Sequence, residues 1–449
     1  MEDRRQVLDL FRLKEKSLEE WSDYGIENFR KGRGTFTVTD AEGKPIPGAK
    51  IELRQTSHDF KVGANLFMLE EFSSREQNEE YKKLFAECFN IATLPFYWRD
   101  LEPEQGKPRY GKDSPRIYRR PAPDLCLEYC EANSIMPKMH CLNYANCNPK
   151  WLWDKDIPTE KYYLEKRFSE LAERYSGRIR DWEVTNETFF NFETNNRSLF
   201  YRAPDFVEWS FKLADKYFRR SNRLIINEAH SQIWGLANRH ANRSQYYMQI
   251  ERALSKGCRI DSIGMQFHMF YRRENEYSTI KQLRFYDAEL LYETMDLYQT
   301  LGLPIQITEL TIPAYSNDAE DEELQAEIIR NLYTLWFGHP AMEAIIYWNL
   351  VDGFAAFAPQ GDMTAGENYY YGGLVRYDFT PKPAYNLVKR LFHEVWHTET
   401  NATSDADGNA FFKGFYGDYE AVATLPDGTS KRQALHLAKT SHNRFAFVF

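Results

Sequence analysis

Short apolar runs alternate with helix-like stretches through most of the chain, and from the second run onward they recur about every 40 residues. The eight runs are KVGANLFM (62–69), FNIATLPFYW (89–98), IMPKMHCLNY (135–144), IRDWEVTNE (179–187), LIINEA (224–229), IDSIGMQFHM (260–269), PIQITEL (304–310) and AIIYWNLVD (344–352). Continuous runs of this kind are typical of strands that are buried on both faces of a parallel sheet. Eight strand–helix units predict an α/β fold, a (β/α)8 TIM barrel over residues 62–398.

The pattern changes to strict alternation towards both ends of the chain. After an amphipathic helix and a basic segment (1–32), TFTVTD (35–40) and AKIELRQT (49–56) flank a Gly/Pro-rich turn, which predicts a β-hairpin. Similar alternation returns after residue 400. We therefore predict that residues 1–61 and 399–449 form one small accessory β module. Its role is expected to be structural, because it would tie both termini down.

Two glutamates lie where predicted strands end: Glu187 closes the fourth run and Glu309 closes the seventh. Functional side chains of such barrels lie at the C-terminal ends of the strands, so both carboxylates would face the open mouth. A buried carboxylate is costly without a partner or a function. Cleavage of a glycosidic bond needs such a pair, one protonated to donate to the leaving oxygen and one ionised to attack the anomeric carbon.

The motifs around these glutamates resemble those of glycoside hydrolase family 10, the xylanase family. The strand-four motif W-[DE]-V-x-N-E appears as residues 182–187, and the strand-seven motif I-T-E-[LV]-D appears as ITELT (307–311). The resemblance continues, in order, over roughly residues 33–395. It implies a retaining hydrolase of β-1,4-xylan or xylo-oligosaccharides, with Glu187 as general acid/base and Glu309 as nucleophile.

Other positions that match the family imply a sugar-binding set around the two carboxylates. By this resemblance Asn186 contacts the sugar 2-hydroxyl, and Trp348 forms an aromatic floor under the reacting sugar. His268 would orient Glu309 and stabilise its ionised form. The predicted substrate-binding residues are Asn186, Gln266, His268, Trp348, His140, Tyr144 and Asn227.

Several sugar-contacting positions depart from the family pattern. The stretch E-N-x-M-K reads TLPFY (93–97), W-H-x-Q reads YANC (144–147), and the Asp after the nucleophile is Thr311. Hydrogen-bonding groups set specificity, so these changes predict altered sugar recognition with retained bond cleavage. Two alternatives stay open: a hydrolase of another β-linked, aryl or decorated glycoside, and a non-catalytic carbohydrate-binding protein. The aromatic residues expected to line the cleft are Phe96, Tyr97, Tyr144, Phe189, Phe190, Phe192 and Tyr369–Tyr371.

Composition narrows the classes of function. The chain has 449 residues, 43% of them hydrophobic, which is ample for a large core and excludes disorder for most of its length. Its net charge of −9 argues against a nucleic-acid partner. No apolar run approaches the ~20 residues that span a bilayer, so no membrane association is expected. The expected partner is an oligosaccharide or glycoside substrate.

The sequence predicts no cofactor and no catalytic metal. The motifs GxxxxGK[ST], GxSxG and HExxH do not occur, and the ten histidines lack the spacing of metal ligands. The six cysteines form no CxxC pair, and the N-terminal residues contain no apolar segment of a signal peptide. We therefore expect a cytoplasmic protein with free thiols.

Overall fold

The computed structural model of this chain describes residues 4–190 and 198–449, which form alternating strands and helices. The strands, in chain order, are β1 (Lys31–Thr39), β2 (Lys50–Gln55), β3 (Lys61–Asn65), β4 (Ile91–Pro95), β5 (Met136–His140), β6 (Asp181–Asn186), β7 (Arg223–Glu228), β8 (Ser262–His268), β9 (Ile305–Thr311), β10 (Met342–Tyr347), β11 (Glu399–Thr403), β12 (Asn409–Phe415), β13 (Gly417–Thr424), β14 (Ser430–Leu437) and β15 (Arg444–Val448). The α-helices are α1 (Asp9–Leu13), α2 (Glu15–Gly25), α3 (Arg75–Cys88), α4 (Trp98–Leu101), α5 (Pro123–Ala132), α6 (Ile157–Tyr175), α7 (Phe206–Tyr217), α8 (Trp234–His240), α9 (Gln245–Ser255), α10 (Glu276–Leu283), α11 (Ala288–Gln299), α12 (Ala319–Gly338) and α13 (Pro383–Arg390).

Strands β3 to β10 form a closed barrel in which every pairing is parallel. Neighbours follow the chain order, and β10 closes the ring by pairing Ile345 with Val62 of β3. These strands coincide with the eight apolar runs, so the predicted (β/α)8 barrel is confirmed. Nearly all of their residues are buried, because side chains fill the interior and helices cover the outside.

The helices between the strands each bury one face against the barrel. In α6 that face includes Leu164, Phe168 and Tyr175, which are spaced four and seven residues apart as one side of a helix requires. Asp156 caps this helix by accepting a hydrogen bond from the backbone nitrogen of Thr159 at 2.9 Å. Among the described residues, no helix is both long enough and apolar enough to cross a membrane.

The two ends of the chain together build a β module with its own core. Strand β1 lies between β12 and β15 in a three-stranded sheet, and β2 lies between β11 and β13 in a four-stranded sheet whose edge is β14. The inner faces of both sheets meet around Phe36, Ile51 and Tyr419, which are fully buried. The accessory β module predicted from the N- and C-terminal segments is therefore confirmed.

The predicted hairpin within residues 35–61 is wrong, because β1 and β2 belong to different sheets. Their connection, residues 40–49, is ten residues long and contains Pro45 and Pro47, which have no N–H to donate to a ladder. The connection carries the chain from one sheet to the other. Each strand instead pairs with strands from the C-terminal segment, which local sequence patterning cannot reveal.

Helix α2 crosses α12 at a point where both helices have glycine. A Cβ on Gly25 would lie 1.9 Å from the carbonyl oxygen of Gly338, so the two backbones approach more closely than any side chain allows. Beyond α2, Arg30 donates from its guanidinium to the carbonyls of Phe337 and His339 at the end of α12. These contacts fasten the N-terminal segment to the barrel.

Candidate active site

A cavity of about 880 Å³ opens at the C-terminal ends of the barrel strands. Eight of the nine predicted site residues line it: Asn186, Glu187, Glu309, Gln266, His268, Trp348, His140 and Tyr144. The ninth, Asn227, is fully buried and donates to Glu309 from its Nδ2 at 3.1 Å. The structure thus brings all of these residues together in one place.

Glu309 belongs to β9 and is almost completely buried. Its Oε1 accepts hydrogen bonds from Asn227 Nδ2 and Gln266 Nε2, both at 3.1 Å, and His268 Nε2 lies 3.1 Å from its Oε2. Burial raises the pKa of Glu309 to about 8, and the nearby Glu187 carboxylate adds to the increase. Ionised Glu309 therefore depends on these polar neighbours to replace the water that it has lost.

Glu187 follows directly after β6, with its backbone in the left-handed region at a φ of 49°. Its Oε2 accepts a hydrogen bond from Tyr144 Oη at 2.5 Å, and its Oε1 accepts one from Gln266 Nε2 at 3.0 Å. The same Gln266 nitrogen lies 3.1 Å from Glu309 Oε1, so the two carboxylate oxygens are within about 6 Å of each other. Gln266 therefore sets the spacing of the two acids.

A chain of buried charges lies behind Glu309. Lys138 and Glu183 are fully buried and form an ion pair, and the second Glu183 oxygen contacts Nδ1 of His140. Burial alone would lower the pKa of His140, but the Glu183 carboxylate outweighs it and the pKa is raised. His140 Nδ1 lies 4.0 Å from Glu309 Oε1, so a protonated His140 would stabilise an ionised Glu309.

His268 meets a hydroxyl on its other side, where the resemblance implies a carboxylate. Its Nδ1 lies 2.9 Å from Oγ1 of Thr311, and its Nε2 faces Glu309. Burial lowers the pKa of His268 to about 4, which keeps the ring neutral near pH 7. A neutral ring that donates from Nε2 to Glu309 accepts the Thr311 hydroxyl at Nδ1, so the two partners fix one tautomer.

The sequence matches the family model of Glycosyl hydrolase family 10 over residues 56–391. The chain belongs to glycosyl hydrolase family 10. This span covers the whole barrel, including both glutamates and Gln266. The membership inferred from the two motifs is therefore confirmed.

Known proteins of similar sequence include one named as an anti-sigma factor and one named as a xylanase. Anti-sigma-I factor RsgI6 of Acetivibrio thermocellus is 25% identical over 440 residues, which cover 94% of this chain and 49% of the relative. Endo-1,4-beta-xylanase B of Thermotoga neapolitana is 24% identical over 354 residues, which cover 77% of this chain and 92% of the relative. The chain thus spans about half the length of the first of these proteins and most of the second.

Solved structures support the fold of this family 10 chain. Native xylanase 10B from Thermotoga maritima has a TM-score of 0.59 and 21% identity, covering 75% of this chain and 96% of that protein. Xylanase 10B from Thermotoga petrophila, solved in complex with xylobiose, has a TM-score of 0.58 and 20% identity, covering 75% and 95%. About a quarter of this chain lies outside the aligned part, which is enough to include the terminal β module.

Glu228 is a buried acid in this family 10 site that the sequence analysis did not single out. It ends β7 and accepts hydrogen bonds from the backbone nitrogen of Thr188 at 2.7 Å and from its hydroxyl at 2.9 Å. Burial raises the pKa of Glu228 to about 8. The two bonds hold the residue after Glu187 and so support its left-handed backbone, which is uncommon for a residue with a side chain. The sequence gives the same indication for Glu228 as for Glu187 and Glu309, because each of the three residues closes an apolar run.

Aromatic rings form a wall of the cavity that is separate from the barrel core. Phe67 packs edge to face against Trp348, with ring centroids 5.3 Å apart, and against Tyr97 at 5.8 Å. Tyr144 and Phe270 pack against the same cluster. Phe67 was not predicted, because it lies in a loop after β3 with no motif around it.

The expected aromatic lining is partly wrong. Tyr97 and Tyr144 line the cavity, but Phe96 is buried in the barrel core against Tyr175 and Trp182, since adjacent residues of an extended segment face opposite sides. Tyr370 donates to the carbonyl of Phe270 at 3.1 Å from behind the cavity wall. Phe192 lies outside the described residues.

Three groups of this site could be mistaken for a metal centre. Ligand atoms of His140, Glu183 and Glu309 lie within 4.8 Å of one another. However, His140 and Glu183 already contact each other, and the Lys138 ammonium pairs with Glu183. A fixed positive charge at this place repels a cation, so the donor set does not fit a metal ion.

Proposed function

We propose that this chain is a retaining β-glycoside hydrolase that cleaves β-1,4-xylan or xylo-oligosaccharides. The observation that carries the proposal is the pair Glu187 and Glu309, whose oxygens share Gln266 and lie within about 6 Å of each other. Retaining enzymes hold their carboxyl groups ~5–5.5 Å apart, whereas inverting enzymes leave ~6.5–9.5 Å for a water. Membership of family 10 and the xylanase relatives support the substrate.

In this proposal Glu309 is the nucleophile. It attacks the anomeric carbon, the glycosidic C–O bond breaks, and a covalent glycosyl-enzyme results. The hydrogen bonds from Asn227 and Gln266 and the contact with His268 orient the attacking carboxylate. They also stabilise its charge, which burial opposes.

Glu187 acts as the general acid and then as the general base. It donates a proton to the leaving oxygen and later removes one from the water that hydrolyses the intermediate. Tyr144 donates to Glu187 at 2.5 Å and holds this carboxylate in position for both proton transfers. The two roles thus fall on carboxylates with different neighbours.

Asn186 and Trp348 supply contacts to the sugar. The Oδ1 of Asn186 accepts from Asn227 Nδ2 at 2.8 Å, which leaves the Asn186 amide nitrogen to donate to a sugar hydroxyl. A bond from this nitrogen to the sugar 2-hydroxyl would strengthen in the transition state. Trp348 lines the cavity with an apolar face that suits the C–H side of a sugar ring.

A carbohydrate-binding protein without catalytic activity is the weaker candidate. Binding alone has no need for an acid opposite a nucleophile, nor for a neutral amide that links the two. Two buried carboxylates this close also repel each other, a cost that catalysis would justify.

The test is product analysis of unbranched xylo-oligosaccharides with the wild type and with Glu309→Ala and Glu187→Ala. We expect cleavage by the wild type, none by Glu309→Ala, and a loss of about 10²–10⁴-fold for Glu187→Ala. Glu251→Ala, an exposed residue of α9, is the control and should retain full activity. Equal cleavage by Glu309→Ala and the wild type would contradict the assigned nucleophile.

We propose that the protein works in a reducing, cytoplasmic compartment. Its six cysteines are all buried, and each is a free thiol. Proteins kept under oxidising conditions seldom retain so many unpaired thiols. Lysis of cells directly into denaturant that contains an alkylating reagent, followed by mass spectrometry, should find all six thiols alkylated. Disulfide-linked peptides in that digest would contradict the proposal.

A further inference from the structure

Three arginines line one wall of the cavity and have no part in the proposed mechanism: Arg99, Arg119 and Arg120. They surround the stretch in which the hydroxyl-binding Glu, Asn and Lys of the family pattern are replaced by TLPFY (93–97). The guanidinium carbon of Arg120 lies 4.3 Å from the centre of the Tyr97 ring and 5.4 Å from that of Phe67. Guanidinium groups stacked on aromatic rings therefore lie beside the stretch that lacks the family's Glu, Asn and Lys contacts.

This arginine wall is close to the reacting carboxylates. Tyr97, on which Arg120 stacks, places its Oη 3.0 Å from Nε2 of His140. His140 in turn lies 4.0 Å from Glu309. Only two side chains thus separate Arg120 from the nucleophile, so a substituent on a sugar held at Glu309, or on the next sugar, can reach the wall.

The wall carries more positive than negative charge. Asp100 accepts from Arg120 Nε at 2.8 Å and lies 3.5 Å from Arg99 Nε, so one carboxylate serves two guanidinium groups. Arg120 Nη1 donates to the carbonyl of Arg119, and within the described chain no group accepts from its Nη2. Arg99 is half exposed, and besides Nε only its Nη1 has a partner among the residues that the structure describes, the carbonyl of Asn146 at 3.3 Å. Donors therefore remain for a ligand.

Arg119 is buried without a carboxylate partner. It is 5% exposed, and both of its Nη atoms donate to Oδ1 of Asn349 at 3.2 Å. Its Nε has no acceptor among the residues that the structure describes. The nearby acid, Glu367, accepts from Asn349 Nδ2 at 3.2 Å. A buried cation without a bonded anion is costly, which indicates that this wall is built to receive negative charge.

We propose that the arginine wall binds the carboxylate of a uronic acid carried by the sugar chain beside the cleavage point. This inference rests on the proposed function and narrows its substrate to an acidic β-glycan. A guanidinium pairs with a planar carboxylate through parallel N–H donors, and stacking on Tyr97 and Phe67 holds the guanidinium of Arg120 in place. Charge recognition thus takes the place of the hydroxyl contacts that are absent.

The experiment measures binding by calorimetry with Glu309→Gln, a variant that does not turn substrate over. The ligands are a neutral xylo-oligosaccharide, the same oligosaccharide with a uronosyl branch, and the methyl ester of that branch. We expect the acid to bind at least tenfold more tightly than its ester, which has nearly the same size and no charge. The advantage should shrink as salt is raised.

Second substitutions in the same background locate the effect. Arg120→Gln should abolish the preference for the acid, Arg99→Gln should reduce it, and Arg120→Lys should restore part of it. Arg220→Gln, a control on an exposed arginine paired with Asp215, should leave it unchanged. Thermal unfolding identifies any variant that fails to fold. If Arg120→Gln fails to fold, the effect of Arg99→Gln on the preference for the acid is the test.

Two results would overturn the inference: equal binding of acid and ester, or a preference that survives both Arg120→Gln and Arg99→Gln. Tighter binding of a sulfated branch than of the uronosyl branch would overturn the carboxylate assignment. Hydrolysis by the wild type is scored separately on the same ligands. An acid preference without hydrolysis refutes the proposed function alone, and hydrolysis without an acid preference refutes this inference alone.

Discussion

At the scale of single residues, one amide nitrogen donates hydrogen bonds to both acids of the site. Gln266 Nε2 lies within 3.1 Å of both Glu187 and Glu309. A neutral amide can donate to both carboxylates at once without adding a charge to the cavity. As a proton leaves Glu187 and Glu309 forms a bond to the sugar, the same donor can serve whichever oxygen carries more negative charge.

The hydroxyl of Tyr144 should affect the rate of the reaction. Tyr144→Phe removes the donor that lies 2.5 Å from Glu187 Oε2 and leaves Gln266 as the remaining side-chain donor to this carboxylate in the described part of the chain. Glu187 would then be oriented less firmly for proton transfer, so kcat should fall by about tenfold. Tyr277→Phe, whose hydroxyl accepts from Lys281 outside the cavity, should leave kcat unchanged. A kcat for Tyr144→Phe equal to that of the wild type would contradict this role.

The raised pKa of Glu309 also predicts how stability varies with pH. The folded protein holds the Glu309 proton up to about pH 8, whereas the unfolded chain releases it near pH 4.5. Between these values the folded state binds more protons, so this group lowers the free energy of unfolding as pH rises. The melting temperature of Glu309→Gln should therefore exceed that of the wild type only slightly at pH 4.5 and by clearly more at pH 8. A gain independent of pH would contradict the assignment, and Glu251→Gln serves as the flat control.

The sequence could identify residues whose role follows from their position along a strand. It missed residues whose role depends on contacts with other strands. Glu187 and Glu309 were predicted because each closes an apolar run. Glu183 lies inside the same motif as Glu187, but its role depends on Lys138 of the neighbouring strand β5. The arginine wall was missed for a similar reason, since its residues follow no motif and gather only when the loops fold.

At the scale of elements, strand identity was predictable and strand pairing at the chain ends was not. The barrel strands are recognisable in the sequence as continuous apolar runs, because they are buried on both faces. Consecutive strands of the barrel also pair with each other. Strand β2 pairs instead with β11 and β13, about 350 residues further along the chain. Its alternating pattern shows which face is buried and contains no information about its partners.

The crossing of α2 and α12 should be the most sensitive helix contact to a small increase in volume. Gly25→Ala would place a methyl group 1.9 Å from the carbonyl oxygen of Gly338. Separating the two helices should lower the free energy of unfolding by about 1–3 kcal/mol in urea denaturation. Gly235→Ala in α8 is the matched control, because a Cβ there meets nothing within 4 Å. Equal stability of the two variants would contradict so close a crossing.

At the scale of the whole molecule, we propose that residues 1–61 and 399–449 act as one structural unit on a catalytic barrel of residues 62–398. Phe36→Ala tests this division, because Phe36 is fully buried between Phe412 and Phe447 in the module core. The variant should lose about 3–5 kcal/mol of unfolding free energy and keep its kcat/KM at temperatures where it is folded.

The neighbouring strand offers a matched control for this substitution. Phe411 of β12 is 67% exposed, so Phe411→Ala should leave the unfolding free energy within about 0.5 kcal/mol of wild type. Both quantities can be measured on the same preparations by urea denaturation and steady-state kinetics. Loss of kcat/KM in folded Phe36→Ala would mean that the module contributes to the active site.

The pairing of the first strand with the last has a consequence for biosynthesis. Strand β1 aligns Thr35 with Arg444 of β15, so about 400 residues are synthesised between the two partners. At ~5–20 residues per second, β1 spends tens of seconds without its final neighbours, with Phe36 and Val38 exposed. The earlier of the two strands to be synthesised is therefore among the last parts of the module to be buried.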